Sequence, residues 1–229
     1  MNKKKLIIFL MAASLCVTTA FTQETDSAPF RVSIGGGGLV SGNFSTWSVD
    51  ESQPGSLYRY NSTHLNTAPF VFFDLKYLEL NLGLLMGQLN ADSTMSGNPN
   101  FPARTLGLRG GAYFKLPFEI SPMFTLFPLL GIDYDLYFLA KKDDDRDAKF
   151  PVSASNQNAK ASEALNTLWF KAGIGWDTFF TDNLFLRTQI SYGLRLNNNM
   201  EKYLQDTRQD VDWMLGHGGD FKIAIGYRF

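Results

Sequence analysis

The side chains of this sequence that could do chemistry are thirteen charged residues, each of which has an apolar neighbour along the chain. They are Arg31, Glu79, Arg109, Lys115, Asp133, Asp135, Lys171, Asp177, Arg187, Arg195, Asp220, Lys222 and Arg228. If these charged side chains face the interior of one folded domain, they must be paired with each other or solvated. The pattern therefore predicts a network of ion pairs, with a narrow ion path as the alternative. Because eight of the thirteen are basic, any such path should favour anions.

Other candidates for chemistry are weaker. The two histidines, His64 and His217, lie at the outer ends of the second and eighth predicted strands. These strands would flank the first in a closed barrel, so the histidines could approach each other near the surface and form a metal or acid/base site with Asp212 or Asp220. Isolated histidines without ligand spacing are more often polar rim residues. No Gly-x-Ser-x-Gly motif marks a serine nucleophile. We therefore predict no catalytic residue, metal site or cofactor, and a chain that is not an enzyme.

Two short motifs have ordinary explanations. Residues 143–147 read DDDRD, which lacks the spaced acidic pattern of a calcium loop and contains Arg146, so we expect a solvated loop. The four glycines at 35–38 are followed by neither a G-K-[ST] element nor a helix. They predict close approach of strands in a strongly curved sheet.

The elements that must position the charges are eight stretches in which large apolar residues alternate with polar residues or glycine. A period of two is typical of strands whose two faces meet different surroundings. The stretches cover residues 30–44, 65–74, 78–90, 104–116, 126–138, 165–177, 184–196 and 220–229.

The connections between these stretches alternate in length. Those at 75–77, 117–123 and 178–183 are short, and those at 45–63, 91–103, 139–164 and 198–217 are long. An even number of strands closes a sheet without a free edge. The fold class predicted is therefore all-β, a closed antiparallel up-and-down transmembrane β-barrel of eight strands, with short periplasmic turns and long extracellular loops. Such a barrel is only just wide enough for side chains to fill.

The amino terminus predicts export. Lys3, Lys4 and Lys5 precede an apolar run and then small residues, the order of a secretory signal peptide over residues 1–20. A short linker at 21–29 and a barrel domain at 30–229 would follow. The one cysteine, Cys16, lies within the signal, so the mature chain needs no disulfide. We expect the protein in the outer membrane.

Aromatic residues near the strand ends predict two interfacial girdles. Those expected at the short-turn end are Phe30, Tyr77, Phe118, Phe179, Phe180 and Phe229, and those expected at the other end are Trp47, Tyr58, Tyr60 and Tyr137.

The last residues, 222–229, read KIAIGYRF, with Lys222, Tyr227 and the final Phe229 in the pattern of an outer-membrane assembly signal. Over residues 28–229 the chain resembles the small eight-stranded outer-membrane barrels of the OmpA/OmpX type. Ala224 stands where that signal usually has glycine. The resemblance implies outer-membrane lipid as surroundings and insertion by the barrel-assembly machinery.

Several functions stay open at this point. We favour a structural or surface-interaction barrel whose exposed loops contact external partners in adhesion, with a porin-like narrow pore or small-solute transport barrel as the alternative and an outer-membrane enzyme behind both. A periplasmic lipocalin-like barrel with its faces exchanged is a further alternative, which the export signal and final phenylalanine disfavour. A formal net charge of −1 gives no reason to expect nucleic acid.

Overall fold

The computed structural model describes residues 31–50, 57–93, 101–142, 145–151, 158–197 and 210–229. Of two compact units, Val32–Phe229 holds nearly all of these residues, whereas only Arg31 of Met1–Arg31 is described. The predicted signal peptide and linker lie outside the described residues.

Strands dominate the described chain. In chain order the elements are β1 Val32–Asp50, β2 Leu57–Leu75, β3 Leu78–Ser93, β4 Phe101–Lys115, β5 Phe118–Ser121, β6 Phe124–Lys141, β7 Lys149–Pro151, β8 Asn158–Lys160, α1 Ala161–Leu165, β9 Thr167–Phe179, β10 Leu184–Arg195 and β11 Asp210–Arg228. No helix of the described part of the chain is both long and apolar enough to cross a membrane.

Eight of the strands form a closed antiparallel ring. The order is β1, β2, β3, β4, β6, β9, β10 and β11, and β11 returns to pair with β1. Neighbours in the ring follow each other along the chain, apart from the short β5, β7 and β8. The predicted all-β, up-and-down, eight-stranded antiparallel barrel is therefore confirmed.

The register of the ring fixes its dimensions. Starting at Ile34 and stepping across each neighbour in turn leads back to β1 at Phe44, ten residues further along. With about 3.3 Å per residue and about 4.8 Å between strands, this shear gives a tilt of roughly 40° and a backbone radius of roughly 8 Å. A lumen of that width is filled by side chains.

The inner and outer faces of the barrel wall carry different kinds of side chain. Outward positions carry large apolar side chains, including Ile34 and Phe44 on β1, Leu78 to Met86 at alternate positions of β3, and Phe221 on β11, all of them exposed. Because strands tilt, the distance from Ile34 to Phe44 corresponds to roughly 25 Å along the barrel axis, the height of the apolar band of outer-membrane barrels.

The connections follow the predicted alternation only in part, because the stretches at 51–56 and 94–100 are no longer than the one at 116–123 between β4 and β6. Strands β1, β2 and β11 run further than expected, since β1 ends at Asp50, β2 begins at Leu57 and β11 begins at Asp210. The connection predicted at 139–164 contains β7, β8 and α1, and the turn predicted at 117–123 contains β5. We call the end with Lys76 and the C-terminus the short-turn end, and the opposite end the long-loop end.

Close approach of β1 to its neighbours depends on glycine at two inward positions. A β-carbon on Gly37 would come within 1.9 Å of the Ile223 carbonyl oxygen and 2.7 Å of the Ala224 side chain. One on Gly35 would meet the Phe72 ring at 2.5 Å. Outward-facing Gly38 has open space at the same point.

Candidate functional site: the ion-paired lumen

The lumen collects charged side chains because inward positions recur every second residue on each strand of the ring. Ten of the thirteen charged residues singled out by the sequence are buried there: Glu79, Arg109, Lys115, Asp133, Asp135, Lys171, Asp177, Arg187, Asp220 and Lys222. Arg31, Arg195 and Arg228 are half-buried. The buried ten fall into two clusters that the structure separates along the barrel axis, with Lys222 between them.

The short-turn cluster consists of Asp74, Glu79, Lys115, Asp177 and Arg187. The guanidinium of Arg187 donates from Nε and Nη2 to both carboxylate oxygens of Asp177, each at 2.7 Å. It also donates to Glu79 at 2.8 Å and to Asp74 at 2.6 Å. Lys115 pairs with the same oxygen of Asp74. One arginine thus joins three carboxylates from three strands, with the planar geometry that favours arginine over lysine.

Aromatic rings surround this arginine. Its guanidinium carbon lies 4.5 Å from the centre of the Phe72 ring, 5.1 Å from Phe185 and 5.2 Å from Phe127. Cation–π attraction is strongest when water is excluded, and each of these rings is buried. Nearer the short-turn end, Phe179 packs on Phe185 with ring centres 5.2 Å apart, and Arg228 lies over Phe179 at 4.0 Å. These contacts fill the lumen at that end.

The long-loop cluster consists of Arg109, Asp133, Asp135, Lys171 and Asp220. Arg109 donates to both oxygens of Asp135, at 2.5 and 2.7 Å, and to Asp220 at 3.0 Å. Lys171 pairs with Asp220 and lies 3.0 Å from Asp133. Every one of these side chains is at most 4% exposed. The pair of Arg109 and Asp220 thus links opposite strands of the ring across the lumen.

Neutral groups donate further hydrogen bonds to two of these carboxylates, while the Oδ1 atom of Asp133 is buried without a hydrogen-bond partner. The Tyr113 hydroxyl donates to Asp133 at 2.6 Å, and the Trp169 indole donates to Asp135 at 3.0 Å. Lys222 lies between the clusters, with its ammonium 4.5 Å from the centre of the Tyr113 ring. Buried charges need such partners, because each one left unpaired costs several kcal/mol; the network therefore stabilises a shut lumen.

Sequence reasoning missed Asp74. It is the last residue of the predicted strand 65–74, beside the turn at 75–77, and is absent from the predicted set of inward charges. The inward parity of β2 was nevertheless available, since buried Asn66, Ala68, Phe70 and Phe72 alternate up to Asp74. With Asp74 included, the buried set has six carboxylates and five cations. The expected preference for anions stays a prediction, because the half-buried Arg31, Arg195 and Arg228 add three basic side chains to this set.

Two sequence-based assignments are wrong. Tyr137 and Phe179, expected in the aromatic girdles, are 4% exposed and lie in the lumen, where the Tyr137 hydroxyl donates to Asn66 at 3.2 Å. The two histidines do not meet. His64 points into the barrel, 2.7 Å from the Thr105 hydroxyl, whereas His217 lies on the outer face and stacks on exposed Phe44.

The structure describes the side chains of only some of the remaining girdle residues. Phe118, Phe180 and Phe229 are exposed near the short-turn end and Tyr77 is half-buried. Phe30 lies outside the described residues, and Trp47, Tyr58 and Tyr60 belong to strands whose side chains are not described there. Within the described ranges, no group of three or more His, Cys, Asp or Glu side chains is arranged to hold a metal ion.

The residues of the expected assembly signal lie on β11 and just after it. Lys222 and Ala224 point inward and are buried, while Tyr227 and Phe229 are exposed. Ala224 lies opposite Gly37 in the register of β1, so the missing side chain of the glycine makes room for the alanine methyl. The departure from glycine at 224 is thereby accommodated in the closed barrel.

A ring of eight antiparallel strands with an ion-paired interior and a large apolar exterior has the architecture of the small outer-membrane barrels. No protein-family model and no curated protein matches the chain. Among solved structures, it is similar to the outer membrane protein OprG from Pseudomonas aeruginosa, at 11% identity and a TM-score of 0.48, covering 87% of this chain and 96% of that one.

Two further similar structures are the outer membrane protease OmpT from Escherichia coli and the attachment invasion locus protein Ail of Yersinia pestis. The first has 9% identity, a TM-score of 0.44 and coverage of 90% of this chain and 100% of that one. The second has 13% identity, a TM-score of 0.36 and coverage of 88% and 100%.

Proposed function

We propose that this chain is an outer-membrane barrel that spans the bilayer with its eight strands and serves as a closed anchor for surface interactions at its long-loop end. The observation that carries the proposal is the distribution of side chains over the two faces of the wall. Charged residues are buried and paired inside, while Val71, Leu82, Ile132 and Ile225 are 48 to 57% exposed outside.

Exposure of this apolar outer face to water would be unfavourable. Soluble monomers rarely expose a contiguous apolar patch above a few hundred Å², whereas here the exposed apolar residues surround the ring. A lipocalin-like barrel would bury these residues around a ligand and place its charges outside, the reverse of the arrangement seen. Lipid acyl chains are the surroundings that match the outer face.

A display role is favoured over transport by the state of the lumen. Arg187 and Arg109 each join carboxylates from opposite walls at a separate level, and the width of the barrel leaves little space beside such clusters. Strands β1, β2 and β11 also continue beyond the level of Phe44 at the long-loop end. The function is therefore expected at the long-loop end and not through the lumen.

The alternative of a narrow pore has one observation in its favour. Polar groups line the lumen at every level from the short-turn cluster to His64 and Thr105, so rearranged pairs would leave a polar path. Conductance of the refolded mature protein, residues 21–229, in planar bilayers distinguishes the two functions. We expect no resolved channels from the wild type, and stable ion-selective steps would contradict the anchor role.

Membrane placement and surface interaction need separate tests. For the first, fractionation of exporting cells should leave the protein in the outer membrane after alkaline extraction; release by high salt would refute a spanning barrel.

For surface interaction, a variant that lacks residues 149–160 removes β7 and β8 while it spares the ring. It should keep heat-modifiable mobility and lose adherence of displaying cells to immobilised basement-membrane extract, and unchanged adherence would contradict loop recognition.

Export and assembly are part of the same proposal. Residues 1–20 would be removed during export, and the C-terminal strand with Lys222, Ala224, Tyr227 and Phe229 would be read by the barrel-assembly machinery. The role proposed is non-enzymatic, so His64→Ala and His217→Ala variants that fold should lose no activity of the protein. Truncation of Phe229 tests the assembly signal, with accumulation of unfolded chain in the periplasm as the expected result.

A further inference from the structure

A trough crosses the outer wall of the barrel over β1, β11, β10 and β9. Its volume of about 600 Å³ falls within the range of about 300–1,000 Å³ that is usual for small-molecule sites. Gly42, Gly219, Tyr192 and Ala172 lie opposite one another in a single row across these four strands. Three of the four have a side chain no larger than a methyl group, so this row forms the floor of the trough.

Larger side chains border this row on both sides. The bordering residues are Val40, Phe221 and Ile190 on the short-turn side and Phe44, His217 and Leu194 on the long-loop side. All of them except His217 are apolar, and those apolar side chains are 45 to 54% exposed. The trough is therefore an apolar concavity in a wall that otherwise projects large side chains.

The trough lies just inside the long-loop edge of the apolar band. Phe44, at that edge, lies opposite Thr63 on β2. Further toward the long-loop end, the Thr46 hydroxyl donates to the side-chain carbonyl of Asn61 at 3.0 Å. Gly42 lies two residues from Phe44 in the opposite direction. The floor of the trough is therefore at the depth of acyl chains, and polar side chains begin directly beyond its upper border.

His217 is the polar group of that upper border. Its ring stacks on Phe44 with centres 5.6 Å apart and lies 5.9 Å from the centre of the Tyr192 ring. Among the described side chains on the outer face of β1, β9, β10 and β11, it is the only His, Lys, Arg, Asp or Glu. An ionisable side chain at membrane depth is costly without a polar partner and points to a functional site. Its ring nitrogens can donate or accept a hydrogen bond.

We propose that the trough holds one acyl chain of a phospholipid, with the phosphate of the same lipid at the His217 ring. This inference rests on the proposed membrane-spanning function and goes beyond contact with bulk lipid, because it assigns a single bound molecule to one sector of the wall. A phospholipid fits the site because the order from the bilayer centre outward is the same in both. The trough is apolar from Ala172 to Gly42, and the hydrogen-bonding ring lies at its upper border.

Native mass spectrometry tests the site by counting lipids that stay on the mature protein when it is released from micelles containing phosphatidylglycerol. A variant with Gly42→Leu and Gly219→Leu fills the trough. A β-carbon at Gly42 would come within 3.5 Å of a Leu65 methyl group, and one at Gly219 within 3.6 Å of the Ser191 carbonyl oxygen. Both are ordinary contacts, so the filled barrel should close.

Gly38→Leu is the matched control. Gly38 also faces outward on β1 and has open space at its β-carbon position, but it does not line the trough. A third variant, His217→Ala, removes the polar group and keeps the trough. Heat-modifiable mobility in liposomes shows that each variant is folded and inserted.

We expect the wild type and Gly38→Leu to retain a single phosphatidylglycerol, and the filled variant to retain several-fold less. His217→Ala should lower retention of phosphatidylglycerol several-fold but leave retention of a diacylglycerol with the same chains unchanged. Equal retention by the filled variant and Gly38→Leu would overturn the site, and so would equal retention of the two lipids by the wild type.

A lipid-free dimer that only the filled variant loses would assign the trough to a second copy of this chain and would also overturn the lipid site. In each of these cases, folded mobility in liposomes would leave the spanning barrel standing. A wild type that never reaches folded mobility in liposomes would overturn both.

Discussion

Replacing Arg187 by methionine is the most direct test of the ion-paired lumen. The change keeps a long apolar stem among the surrounding phenylalanine rings but removes the charge that Asp74, Glu79 and Asp177 share. Lys115 would be left as the one cation of the short-turn cluster, and its contact in that cluster is with Asp74.

The expected cost follows from burial. Both Arg187 and its partners are at most 5% exposed, and breaking a buried pair by removing one partner costs about 3–5 kcal/mol because a charge is left uncompensated. Since three carboxylates are affected, we expect the upper end, about 5 kcal/mol. Arg187→Lys restores the charge but loses the two-pronged bond to Asp177, and should cost about 2 kcal/mol.

Urea unfolding in liposomes measures these costs, with tryptophan fluorescence and heat-modifiable mobility as the two readouts. Arg104→Met is the matched control, since Arg104 is exposed on the outer face, and surface changes of this kind cost under about 0.5 kcal/mol. A cost below about 1 kcal/mol for Arg187→Met is the range of solvent-exposed pairs. That result would refute a dry, ion-paired lumen.

Three further predictions address the seam, the long-loop cluster and the histidines. Gly37→Val should lower the fraction with folded mobility, because its β-carbon would come within 1.9 Å of a backbone oxygen of β11; Gly38→Val has open space there and should fold as the wild type does. Asp220→Asn removes the shared partner of two lumenal cations, and should lower the free energy of unfolding by about 3 kcal/mol or more. His64→Ala removes a buried hydrogen bond and should cost about 1–3 kcal/mol in the same assay, more than His217→Ala on the outer face; equal costs would contradict the opposite placement of the two side chains.

Strand parity is the part of the lumen that the sequence could predict. Alternation predicts Asp133, Asp135 and Asp177 on the inner face, because a period of two leaves only two faces, and all three are buried. The same rule was not applied to the aromatics, which were placed by their height near strand ends. Tyr137 lies two residues after Asp135, and Phe179 lies two residues after Asp177. Strand alternation therefore places Tyr137 and Phe179 on the inner face.

Which charges pair across the lumen could not be predicted. Partners on neighbouring strands, such as Arg187 and Asp177, follow from the hairpin register, but partners on opposite walls depend on the shear of the whole ring. The shear depends on the register of every strand pair. A shift of two residues between two neighbouring strands would leave each side chain on its face of the barrel but change which charged residues meet across the lumen. Sequence alone therefore predicts most members of the network, Asp74 excepted, but not its division into two clusters.

The division has a consequence for how the ring closes. Each cluster contains a pair between adjacent strands and a pair across the lumen: Arg187 bonds Asp177 ten residues away and Glu79 108 residues away, and Arg109 bonds Asp220 111 residues away. Adjacent pairs can form as soon as a hairpin exists, whereas the cross-lumen pairs join diametrically opposite strands and need the closed ring. Before closure, Glu79 and Asp220 remain solvated at little cost; after closure they are buried and must be paired. A partly open barrel would keep the ion pairs between adjacent strands but would bury carboxylates whose partners lie on the opposite wall. The two arginines therefore make closure of the ring cooperative.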